Sequence, residues 1–151
     1  MPDLTGHLHG LGRRSGLRLS GGPDHLTGRL GGASGKDLTL RVEGKRVTGR
    51  VGGHLIGTDV RATLRGHTLV ARVGGRFMSV DLTLTSGSGR VTGRWGGLLG
   101  FDVDLAVTGD GVRGRLGGRH VGADAALEGD ARPLLLALVA ALAYAELRQD
   151  D

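Results

Sequence analysis

The chain has 151 residues, 31 of them glycine, and a net charge of +5. One domain fits this length, the aliphatic content argues against disorder, and the glycines lack the every-third-residue period of collagen. The absence of cysteine excludes disulfide frameworks and cysteine-ligated zinc. The positive charge permits an acidic partner, although we expect the charges to be evenly dispersed over the surface.

A short motif, Gly-Arg-aliphatic-Gly-Gly, recurs at steps of about 22 residues and marks an internal repeat. Its copies begin at Gly28, Gly49, Ala71, Gly93 and Gly114. Residues 6–10 form a degenerate first copy. An aspartate recurs in phase with the motif, at Asp37, Asp59, Asp81, Asp102 and Asp124.

Each copy contains two runs in which apolar and polar residues alternate, which is the pattern of half-buried strands. In residues 37–43, Leu38, Leu40 and Val42 share one face. Gly44 and Lys45 then form a two-residue turn of the kind that suits a hairpin, and a second alternating run follows. Six copies therefore predict about twelve strands.

The pattern changes to that of a helix after Gly129. Asp130 fits the helix N-cap and Pro133 fits the first turn. Residues 134–147 are apolar on every face until Glu146, and a helix that is apolar all round is either buried or in a membrane. Because about fourteen residues fall short of the roughly twenty that a span requires, we expect burial and no transmembrane segment.

The inward position of each Gly-Arg strand is held by a very small residue. Glycine inside a strand marks a place where something approaches closely, so we interpret the six as a belt that leaves room for the helix. They are Gly6, Gly28, Gly49, Ala71, Gly93 and Gly114.

The predicted fold is mainly β and forms a single domain over residues 1–151. Residues 1–129 form a twelve-stranded antiparallel up-and-down β-barrel built from six two-strand repeats, and residues 130–149 form a central buried helix. A β-solenoid with coils of about 22 residues is the alternative, since a fixed period is its hallmark too.

Twelve antiparallel strands around a C-terminal apolar helix resemble the tubby-like barrel, which is shared by tubby C-terminal domains and phospholipid scramblases. The resemblance covers the whole chain and lies in architecture rather than in a motif. It implies binding of phosphoinositide headgroups or association with membranes, and it assigns no functional residue.

The repeated arginines and aspartates predict an ion-pair lattice on the outside of the barrel, because opposite charges on neighbouring strands stabilise a sheet. Because the repeated arginines are expected to surround the barrel and point in every direction, they define no single anion-binding site. The pairs expected from short connections are Arg50 with Asp59, Arg72 with Asp81, and Arg115 with Asp124.

Two histidines suggest a metal site as an alternative to a solvated outer face. His7 and His9 share a face of the first strand. If that strand closes the barrel against the twelfth, they approach Asp124 or His120. Two histidines and an aspartate suit a divalent metal.

One end of the barrel differs from the other, because the connections that lead into the aspartate strands carry both apolar and basic residues. Such a surface suits a protein partner or an anionic lipid, or else the apolar residues plug the barrel mouth over the helix. The candidate ligand- or partner-binding residues at this end are Arg13, Arg14, Lys36, Arg76 and Arg119.

The sequence contains neither a nucleophile elbow nor a phosphate-binding loop. Trp95 and Phe101 are predicted to point inward, so nucleic acid, which prefers exposed aromatic rings, is an unfavoured partner. The N-terminus lacks the pattern of a secretory signal. We therefore expect a cytoplasmic, non-enzymatic binding or scaffold module without a cofactor. The alternatives are an anionic-lipid or membrane-surface binder and a metal-dependent protein that uses His7 and His9.

Overall fold

In a computed structural model the chain forms a closed antiparallel barrel of twelve strands with a C-terminal helix. The structure describes residues 3–22, 24–30, 36–52, 57–74, 79–97, 100–118 and 121–149. The strands are β1 (Asp3–Gly10), β2 (Arg13–Gly22), β3 (His25–Leu30), β4 (Lys36–Glu43), β5 (Arg46–Gly52), β6 (Gly57–Arg65), β7 (Thr68–Gly74), β8 (Ser79–Gly87), β9 (Arg90–Trp95), β10 (Phe101–Val107), β11 (Gly111–Gly117) and β12 (Gly122–Glu128), and the helix is α1 (Pro133–Gln149).

The strand order confirms the up-and-down barrel. Every strand pairs with its neighbours in sequence, and β1 pairs with β12 to close the sheet. The predicted turn at Gly44 and Lys45 joins β4 to β5, and Gly44 has a φ of 62°, which suits a glycine-first turn. The solenoid alternative is wrong, because its strands would not form one closed antiparallel ladder.

The alternation predicted from the sequence places aliphatic side chains inside and polar ones outside. In β6, for example, Val60, Ala62 and Leu64 are buried, whereas Asp59 and Arg61 are exposed. Among the described residues every buried side chain is apolar. The described interior therefore contains no buried charge, and the strands carry their charged groups on the outer wall.

The helix α1 is buried on all faces, as its uniform apolar surface predicts. Residues 134–142 are each at most 6% exposed. The helix begins later than expected: the carbonyl oxygen of Arg132 accepts hydrogen bonds from the backbone N–H of Leu135 and Leu136, at 2.9 and 3.0 Å. Arg132 is therefore the N-cap and Pro133 the first helical residue, so the N-cap prediction for Asp130 is wrong.

The backbone of α1 approaches the strands β8 to β12 most closely. At its C-terminal end an aromatic cluster fills the space between helix and wall. Trp95 and Phe101 stack with ring centroids 5.3 Å apart, and Tyr144 packs edge-on to Phe101 at 4.7 Å. The guanidinium of Arg148 covers the Phe101 ring at 4.8 Å. Trp95 and Phe101 point inward, as predicted.

The glycines of the Gly-Arg strands make room for a leucine on the paired strand rather than directly for the helix. A Cβ atom at Gly49 would lie 2.7 Å from Leu40 Cδ2, and closer still to the backbone oxygen of Thr39. Gly28 and Gly93 meet Leu19 and Leu84 in the same way. The belt exists, but the atoms closest to it are backbone oxygens and leucine side chains of the paired strand rather than the helix.

Candidate functional site

The repeated arginines and aspartates form the expected lattice on the outer wall. In all five copies the arginine of the Gly-Arg motif lies directly opposite the aspartate near the start of the next strand. The pairs are Arg29–Asp37 (3.6 Å), Arg50–Asp59 (2.7 Å), Arg72–Asp81 (3.2 Å), Arg94–Asp102 (2.8 Å) and Arg115–Asp124 (3.4 Å). The three pairs predicted from the sequence are confirmed.

A group of cations on β4 to β6 lies outside this lattice. We call it the basic patch: Arg41, Lys45, Arg46, Arg61 and Arg65. All five side chains are exposed. Within the described part of the chain none of the five has an ion pair or a side-chain hydrogen bond. Their charges are therefore available to an external partner.

The strand register brings four of these arginines together. Arg46 lies opposite Glu43 on one side and opposite Thr63 on the other. Arg61 and Arg65 flank Thr63, so they are diagonal neighbours of Arg46, at roughly 7–8 Å between Cα atoms. Arg41 is its diagonal neighbour on β4. Diagonal pairs of like charge give none of the cross-strand stabilisation that opposite charges provide, which means that the fold alone does not require this cluster.

The charge of the molecule is concentrated on this side. Residues 36–74 carry eight basic and three acidic residues, so their net charge of +5 equals that of the entire chain. Residues 101–130 carry six acidic and three basic residues, a net charge of −3. Because β5 and β11 are six strands apart in a ring of twelve, these segments form opposite walls. The expectation of evenly dispersed charges is wrong.

The residues predicted at the loop-bearing end are only partly placed. Lys36 opens β4, and its Nζ lies 2.9 Å from a carboxylate oxygen of Glu146 on α1. Arg14 is exposed on β2, opposite His9. Arg13 begins β2, but its side chain, like all of Arg76 and Arg119, lies outside the described residues. Lys36 therefore pairs with a residue of the same chain, and the described residues do not bring the five predicted basic residues together into one site.

The two histidines lie where barrel closure was expected to bring them. His9 is directly opposite Asp124 across β1 and β12, and both histidines line an open groove of about 610 Å3 on the outer wall. Asp124 is already engaged by Arg115. Within the described ranges no group of three potential ligands could hold a metal ion. His120, the other partner considered, falls outside those ranges.

Comparison of the chain with protein-family models, curated proteins and solved structures finds no match. The tubby-like resemblance therefore receives no support from relatives. Among the helices that the structure describes, none combines the length and the apolar character needed to cross a bilayer.

Sequence reasoning missed the basic patch because it concentrated on what the repeat preserves. The patch could have been found from the outward-facing positions at which the copies differ. Four residues after the repeated aspartate the copies carry Arg41, Thr63, Thr85, Ala106 and Glu128. Two residues after it they carry Thr39, Arg61, Thr83, Asp104 and Ala126. These variable outward positions change from basic to acidic around the ring, and they carry the asymmetry that a site requires.

Proposed function

We propose that the protein is a non-enzymatic binding module whose basic patch adsorbs to an anionic phospholipid surface. The observation that carries the proposal is a cluster of cations on one wall that has no ion pair among the described residues: Arg41, Lys45, Arg46, Arg61 and Arg65. Most of the other arginines that the structure describes pair with aspartates. Clusters of four to eight basic residues near a membrane surface are typical of lipid recognition.

The composition of the patch favours lipid over nucleic acid. Its surroundings on β4 to β6 expose threonines and arginines but no aromatic ring on which a base could stack. Three neighbouring strands already span about 10 Å, so a whole barrel wall is too broad to enter a B-DNA major groove of about 12 Å. Contact with a duplex would be limited to phosphates along its edge.

The expected affinity is weak and dependent on salt. A basic residue near an anionic surface contributes about 1 kcal/mol. Five such residues therefore give a dissociation constant on the order of 0.1–1 mM in accessible lipid. Since the Debye length shrinks from about 10 Å at 0.1 M salt to about 3 Å at 1 M, binding should disappear across that range.

Vesicle co-sedimentation tests the proposal. The protein should pellet with vesicles rich in phosphatidylserine at low salt and stay in solution with phosphatidylcholine vesicles. Changing both Arg46→Glu and Arg61→Glu should weaken binding at least about thirtyfold, because two contributions of about 1 kcal/mol are lost and two repulsions are added.

Arg113→Glu is the matched control, since Arg113 is exposed on β11, in the opposite wall, and has no ion pair with any residue that the structure describes. It makes the same charge change as Arg46→Glu alone, which is the patch variant it is compared with, and it should leave most of the binding intact. Equal losses in the control and the patch variant would contradict the proposal. Failure to bind vesicles while binding duplex DNA at the same salt would contradict it as well.

A further inference from the structure

A cavity of about 220 Å3 lies inside the barrel mouth, between the C-terminal part of α1 and strands β5 to β9. Its apolar wall consists of Val51, Val73, Val80, Trp95, Leu142 and Ala145. It is at the end of the barrel where Lys36 meets Glu146, whereas the basic patch lies outside and toward the turns 44–45 and 66–67. The cavity is thus separate from the surface that carries the proposed function.

The cavity forms because adjacent copies of the repeat carry small side chains at this level of the barrel. The residue after Gly-Arg is Leu30, Trp95 or Leu116 in three copies. In the two copies between those of Leu30 and Trp95 it is Val51 and Val73, which lie opposite Thr58 and Val80 on the next strand. The helix leans toward β8 to β12 and does not fill the space that these short side chains leave.

Three polar residues line the cavity; Ser79 is exposed, and the other two give the cavity its hydrogen-bonding groups. The carboxylate of Glu146 lines it with a side chain that is 19% exposed, and among the described residues the hydroxyl of Thr58 has no hydrogen-bond partner. The ammonium of Lys36 neutralises Glu146 from the rim, but the Lys36 side chain is 49% exposed. Because an exposed ion pair contributes little to stability, a ligand can replace Lys36 as the partner of Glu146 with little loss of free energy.

We propose that this cavity binds a small apolar molecule that carries an amino or hydroxyl donor at one end. The apolar body packs against the valines and Trp95, as in most small-molecule sites. A protonated amine donates a charge-assisted hydrogen bond to Glu146 and displaces Lys36 into solvent. At about 30 Å3 for each water-sized group, the volume accommodates roughly seven heavy atoms, which is the size of a six-carbon amine or alcohol.

The experiment is a fluorescence titration of the whole protein with hexylamine, hexanol and hexanoate. Trp95 is the only tryptophan of the chain and lines this cavity, so its emission responds to a ligand bound there. Hexylamine should produce a saturable change and bind at least about tenfold more tightly than hexanoate, because the carboxylate repels one head group and bonds to the other. Non-saturable changes of equal size for all three compounds would overturn the proposal.

Variants of the ion pair separate a binding role from a structural one. Glu146→Gln should weaken hexylamine about tenfold and leave hexanol unchanged, whereas Lys36→Ala should strengthen hexylamine by removing its competitor. Ala145→Leu should abolish binding of both by filling the cavity. Loss of binding that is identical in the Glu146 and Lys36 variants would overturn the proposal. The double variant of the basic patch, Arg46→Glu with Arg61→Glu, should bind hexylamine normally, so failure of either proposal is visible independently of the other.

Discussion

At the scale of single residues, glycine and leucine are coupled across the barrel wall. Gly49 has no room for a methyl group, because the backbone oxygen of Thr39 and the side chain of Leu40 occupy the place where a Cβ would lie. The sequence predicted that these glycines mark a close approach. It did not identify what approaches, since the leucine that does so belongs to a strand whose register is not fixed by spacing alone.

Gly49→Ala should therefore destabilise the protein by about 1–3 kcal/mol through overpacking. This exceeds the stabilisation of about 0.4–1 kcal/mol that alanine gains by restricting the unfolded chain. The measurement is the midpoint of urea unfolding. Gly87→Ala is the control, because nothing lies near its Cβ position and its stability should change little or rise. A Gly49→Ala variant as stable as the Gly87 control would contradict this account of the belt.

At the scale of elements, five of the six Gly-Arg strands place their glycine opposite a leucine on the preceding strand, which for β1 is β12, and one strand departs from this pattern. The five are Leu19 with Gly28, Leu40 with Gly49, Leu84 with Gly93, Leu105 with Gly114, and Leu127 with Gly6. The hairpin of β6 and β7 instead pairs Ala62 with Ala71. The alanine that interrupts the glycine series in the sequence is thus matched by a smaller residue on its partner strand.

A double-mutant cycle in this hairpin tests the complementarity. Ala62→Leu alone should overpack and cost about 1–3 kcal/mol, and Ala71→Gly alone should cost about 1 kcal/mol. The combination recreates the leucine–glycine pair of the other copies. It should be less destabilising than the sum of the two by about 1–2 kcal/mol. Strictly additive free energies of unfolding would show that the two positions do not share one space.

The helix shows where sequence reasoning succeeds and where it stops. Its apolar surface on every side predicted burial, and the alternation of the strands predicted a barrel wide enough to contain it. The location of the N-cap was wrong because Asp130 has the preferred side chain while the first helical hydrogen bonds go to Arg132. The ion pair between Lys36 and Glu146 was not predictable, since the two residues are 110 positions apart in the sequence. They meet only because the helix passes through the barrel.

At the scale of the whole molecule, the repeat builds a symmetric wall and the variable positions break its symmetry. The arginine and aspartate of each copy were predicted to pair, and they do. Arg41 and Arg46 belong to one copy, Arg61 and Arg65 belong to the next, and the four become neighbours only when β4, β5 and β6 are aligned in register. The barrel could therefore be predicted from the residues that recur in each copy. The candidate site could not, because it consists of residues that differ between copies and depends on the register of the strands that carry them.

The most direct test of the central claim is the orientation of the barrel on an anionic membrane. The chain contains no cysteine, so single cysteines can carry an environment-sensitive fluorophore at Thr48, within the basic patch on β5, and at Thr92, an exposed position on β9. On addition of phosphatidylserine vesicles the emission of the Thr48→Cys label should shift and that of the Thr92→Cys label should not. Equal shifts at both positions, or a shift only at Thr92, would contradict the assignment of the β4–β6 wall as the binding face.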